Sequence, residues 1–84
     1  MKIIFTPHAY NDYQYWRHSG QKRLFDKINR LLIDISEHPY TGTGKPELAG
    51  KWSRRINSEH RIIYSVNENM IEIHWFSMRY HYSK

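Results

Sequence analysis

From Gln21 to His38 the apolar residues Leu24, Phe25, Ile28, Leu31, Leu32 and Ile35 recur at intervals of three and four, which lines them along one face of a helix. Pro39 stops the run, because a proline drives the residue before it out of helical backbone. A helix with one apolar face needs a surface to bury it against, and the last third of the chain supplies one. There the segments 52–57, 60–66 and 70–78 alternate apolar with polar residues, separated by Ser58-Glu59 and by Asn67 to Asn69, as in an antiparallel meander.

Ahead of the long helix, Lys2-Ile3-Ile4-Phe5 suits a short strand, and Thr6-Pro7 reads as an N-cap followed by the first helical turn. Ala9, Tyr13 and Trp16 then share a face and Gly20 marks a stop, predicting a helix from Pro7 to His18. Between Pro39 and Trp52 two prolines and several glycines interrupt any periodicity, and a loop is expected. Together these elements predict a single α+β domain over residues 1–84, an antiparallel sheet with two N-terminal helices packed on one face. On the last strand Ile71, Ile73 and Trp75 are expected to face the core, and Met70, Glu72, His74, Phe76 and Met78 to face outward.

Thirteen Lys and Arg against eight Asp and Glu leave a net charge of +5, and the chain carries seven Tyr, three Trp and three Phe among its basic residues. That mixture offers both stacking faces and phosphate contacts, pointing to RNA or single strands as partner. The absence of cysteine excludes disulfides and thiolate zinc sites, and the six histidines show no close ligand spacing. Gly44-Lys45 lacks the spacing of a phosphate-cradling loop. Lys2 to Phe5 is too short for a signal peptide or a membrane span, so a cytoplasmic chain with no metal and no cofactor is expected.

The groups able to do chemistry gather in the second half: Glu47, Arg54, Arg55, His60, Arg61, His81 and Tyr82. Metal-free RNA cleavage requires a base for the 2′-hydroxyl, cations for the charged transition state and an acid for the leaving 5′-oxygen. Glutamate, arginine and histidine supply one residue type for each role, and Tyr80 or Tyr82 can stack a base or steady the phosphate. Each also has an ordinary reading, as a loop carboxylate, a solvated strand edge or a terminal residue. On spacing alone, a plain nucleic-acid-binding or protein-binding module is the more economical reading.

Six stretches taken in order, Asp12 to Trp16, Lys27 to Ile35, Gly44 to Glu47, Trp52 to Ile56, Glu59 to Tyr64 and the terminal Arg79-Tyr80-His81-Tyr82, resemble the YoeB/Txe family of bacterial toxins within the RelE superfamily. The resemblance spans nearly the whole chain. It implies a small microbial-ribonuclease-like fold and a ribosome-dependent, metal-independent endoribonuclease that cuts messenger RNA in the A site of the 70S ribosome. It also implies a cognate YefM-like antitoxin and a homodimer in the free state. Carried onto this chain, it implies Glu47 as general base, Arg61 as phosphate stabiliser, Arg55 as an auxiliary phosphate contact, and His81 as general acid with Tyr82 beside it; the residue types themselves add Arg54 and Tyr80 as expected contacts to the RNA.

Two features condition that reading. Only Leu48, Ala49, Gly50 and Lys51 separate Glu47 from Trp52, a reach of at most roughly 14 Å, shorter than the resemblance implies. An alternative is therefore a catalytically inactive variant that binds RNA or the ribosome. The second concerns register: a two-residue turn at Ser58-Glu59 sets Arg55 opposite Ile62, whereas a three-residue turn brings Arg55 and Arg61 onto one face.

Overall fold

In the computed structural model, which describes residues 1–41, 43–44 and 50–76, the first strand β1 (Lys2–Phe5) leads directly into helix α1 (Pro7–Arg17). The Thr6 side-chain oxygen accepts the Ala9 amide at 3.1 Å and its hydroxyl donates to the carbonyl of His74 at 3.1 Å, so one residue caps the helix and ties it to the sheet. Gly20, at φ +83°, makes the left-handed turn that reverses the chain into α2 (Lys22–Glu37). Both helices match the sequence expectation to within a residue or so at each end.

The strands β2 (Thr43–Gly44), β3 (Trp52–Arg55), β4 (Arg61–Asn67) and β5 (Met70–Trp75) join β1 in one five-stranded sheet of order β1-β5-β4-β3-β2. The sheet is mixed rather than antiparallel throughout, because β1 lies parallel to β5, Ile3 beside Ile71 and Phe5 beside Ile73. A parallel pair needs a crossover connection, and the chain between these two strands runs through both helices. β2 falls inside the expected loop; two residues are too few to show an alternation. Its pairing of Gly44 with Trp52 closes the ends of the intervening connection on each other.

One face of the sheet carries the helices. Ala9 and Trp16 of α1 and Ile28, Leu32 and Ile35 of α2 pack on Ile62, Tyr64, Ile71 and Ile73 in a single buried cluster. Leu24, Phe25 and Leu31 cover its margin. Phe76 also belongs to this core and is fully buried, against the expectation that it faces outward. The reason is a bulge: Ile63 pairs with Trp75 but Tyr64 with Ile73, so His74 is an extra residue and the alternation changes phase after it. Phe76 then meets Phe5 edge-on at 5.5 Å and Tyr13 at 5.6 Å.

Candidate active site

The β3–β4 connection is a three-residue turn, Asn57 to Glu59. Ile56 donates its amide to the carbonyl of His60 at 2.9 Å, and the Asn57 side-chain oxygen accepts the amides of Glu59 and His60, each at 2.9 Å. This register sets Arg55 directly opposite Arg61 and Ser53 opposite Ile63. Both arginines therefore occupy the sheet face turned away from the helices. Arg61 leans along the ladder, its Nη1 donating to Ser53 Oγ at 3.0 Å, while Arg55 is exposed. Ser53 and Ile63 are buried on this face, Ile63 lying outside the main core cluster. Arg55 and Arg61 thus bring two cationic side chains to one face of the sheet, and a guanidinium is a planar set of donors that suits a phosphate.

Arg54 points the other way. Its guanidinium donates to Asp34 Oδ2, to Thr41 Oγ1 and to the carbonyl of His38 at 2.7 Å, and the side chain is only 12% exposed. The last turn of α2 holds no basic residue of its own, so Arg54 supplies the cation that helix end lacks. Strand alternation sends Arg54, grouped with Arg55 in the sequence reading, to the helix side. His60 is buried against the Trp16 ring, the centroids 5.0 Å apart, and takes a packing role. The expected base Glu47 and the tail residues Tyr80, His81 and Tyr82 lie outside the described residues.

Three further polar residues stand out in the structure, two of them (Ser53 and Asp12) unmarked by sequence reasoning and the third, His74, expected only to face outward. Ser53 gave no signal beyond its place between Trp52 and Arg54. Asp12 is fully buried and accepts the Phe76 amide at 3.2 Å, fixing the point where β5 gives way to the terminal segment. A carboxylate on the apolar stripe of α1, three residues from Ala9, was the available sign. The third is His74, whose Nε2 lies 2.9 Å from Ser65 Oγ on the arginine face. Burial pushes the imidazole below its usual range, and the nearby Lys51 adds to that against the opposing pull of Glu72. On the helix side, burial pushes the Tyr64 phenol up against the contrary influence of Arg54, and its hydroxyl donates to the Pro39 carbonyl at 2.7 Å.

The profile of the YoeB-like toxins of bacterial type II toxin–antitoxin systems matches residues 5–82. The chain belongs to that family. It is 42% identical to the toxin YoeB of Streptomyces coelicolor over 87 aligned positions, covering 98% of this chain and all of the relative. Among solved structures, a YoeB/ParE toxin from Agrobacterium tumefaciens superposes with a TM-score of 0.79 at 33% identity, over 92% of this chain and 96% of that one. The Staphylococcus aureus YoeB, solved as a dimer and in a YoeB-YefM complex, superposes at a TM-score of 0.76 and 38% identity, over 92% of this chain and 94% of the relative. The α+β fold, two helices on one face of the sheet, is therefore the fold of YoeB structures.

Proposed function

We propose that this YoeB-family toxin is a ribosome-dependent endoribonuclease that cleaves messenger RNA in the A site without a metal. The observation that carries the reading is the register of β3 and β4, which sets Arg55 opposite Arg61 on the face away from the helices. Arg61 stabilises the charge that develops on the phosphate and Arg55 assists it. Glu47 takes the proton of the 2′-hydroxyl, whose oxygen attacks the phosphorus. His81 gives a proton to the departing 5′-oxygen, and Tyr82 and Tyr80 stack a base or steady the phosphate. The products are a 2′,3′-cyclic phosphate and a 5′-hydroxyl, and the protons balance between Glu47 and His81.

By analogy with the S. aureus relative, the chain forms a homodimer when free and is held inactive by a YefM-type antitoxin.

Purified protein, incubated with programmed ribosomes carrying an open A site, will produce new messenger RNA ends detectable by primer extension. Glu47→Gln, Arg61→Gln and His81→Ala will abolish them. A 2′-deoxy substitution at the nucleotide before the scissile bond will also block cleavage, and normal cleavage of that substrate would refute the mechanism. Ribosome binding without cleavage by the unaltered chain would instead identify an inactive binding variant.

A further inference from the structure

Beyond the two arginines, on the same face, a second polar pair spans β4 and β5. Ser65 is paired with Glu72, yet its hydroxyl meets the imidazole of His74 diagonally, at 2.9 Å. His74 reaches that position because it is the bulge residue, and bulges next to functional sites redirect side chains in this way. Ser65 and His74 are both half-buried, so the ring is held in one orientation on a surface that solvent still reaches.

The spacing relates this pair to the arginines. Arg61 and Ser65 stand four residues apart on β4, roughly 13 Å along the strand. The Arg61 guanidinium covers about half of that distance, since it bonds Ser53, which is level with Ile63. Along β4, about 7 Å then separates the level of the Arg61 guanidinium from that of Ser65, with the guanidinium on the β3 side and His74 on the β5 side.

We propose that His74, oriented by Ser65, forms a subsite for the nucleotide adjacent to the scissile phosphate, the base stacking on the imidazole. This inference rests on the ribonuclease reading above and adds to it a residue that selects sequence. Every base offers a face to stack on, but with unequal strength, so a fixed ring converts stacking into a preference between codons. The charged groups acting on the ring are Lys51 at the entry to β3 and Glu72 on β5 itself. A ring held neutral by its surroundings leaves Lys51 to meet a phosphate while the imidazole meets the base.

The test has two arms. In the first, ring-labelled histidine signals of the whole protein are followed by NMR as a short 2′-deoxy-blocked RNA oligonucleotide is added, with the exposed His18 and His38 as references. The His74 resonances are expected to shift and the reference signals to stay. In the second, cleavage rates on ribosomes presenting a panel of A-site codons are compared for the unaltered chain, His74→Ala and Ser65→Ala. The spread between best and worst codons is expected to shrink roughly tenfold in His74→Ala, and in the same direction in Ser65→Ala, which keeps the ring but frees it. Unmoved His74 signals together with an unchanged codon spread in an active enzyme would overturn the subsite and leave the ribonuclease reading intact. Shifted His74 signals in a protein that never cleaves would support the subsite and refute the ribonuclease reading.

Discussion

Arg54 and Arg55 are neighbours in sequence, yet the structure gives them opposite work, and substituting each by glutamine separates the two. Arg54 donates to the His38 carbonyl at the end of α2, to Thr41 Oγ1 and to Asp34. The bond to a helix-terminal carbonyl contributes about 1 kcal/mol, and a cation at that end of the helix adds about 0.3–1 kcal/mol. Asp34 is 50% exposed, so the ion pair adds at most about 1 kcal/mol. Arg54→Gln should therefore lower stability by about 2–3 kcal/mol, which in a domain of this size moves the melting temperature by roughly 10–20 °C. Arg55 is exposed, and Arg55→Gln should change stability by less than about 0.5 kcal/mol. Its effect belongs in RNA binding, where the salt dependence of association should flatten by about one charge. Urea titrations followed by circular dichroism measure the first quantity, and binding to RNA across a salt series measures the second. If Arg54→Gln melts with the unaltered protein, or Arg55→Gln loses as much stability as Arg54→Gln, the division of labour drawn from strand alternation is wrong.

Glu68 holds φ at +54° in the turn between β4 and β5, a conformation that disfavours side chains, and Glu68→Gly should stabilise the fold by about 0.5–1 kcal/mol in thermal melts. Asn57→Ala removes the acceptor that fixes the three-residue turn; it should cost about 1 kcal/mol in urea titrations and reduce messenger RNA cleavage more than that loss explains, because a one-residue slip separates Arg55 from Arg61. The lowered His74 pKa makes stability pH-dependent in a stated direction. The unfolded chain, protonating near pH 6.5, binds more protons than the folded one between that pH and the folded value, so stability falls as pH drops below about 6.5 and is unaffected above it. Subtracting the stability profile of His74→Gln from that of the unaltered chain should isolate this loss, and a difference that ran the other way would show the imidazole to be charged in the fold.

What the sequence made legible follows from how local the determining interactions are. α2 can be read from its own residues, since Leu24 to Ile35 write a helical period that tertiary packing then uses unchanged. Phe76 could not be placed, because its burial depends on an extra residue at His74 that only the pairing of β4 with β5 reveals. The parallel seating of β1 on β5 is likewise a relation between the two ends of the described chain, with no mark in either segment alone.

The two arginine roles lie between these cases. Alternation requires that Arg54 and Arg55 face opposite sides of the sheet, but the length of one turn decides which of them joins Arg61. The side chain of Asn57 takes that decision by accepting two amides and holding three residues in the turn. A short polar side chain in the turn thereby sets which arginine stands opposite Arg61. The same logic applies at His74, where one inserted residue turns an imidazole toward Ser65 and sends Phe76 inward. In both places a register choice between strands, rather than the chemistry of the residue itself, determines which face of the sheet that residue occupies.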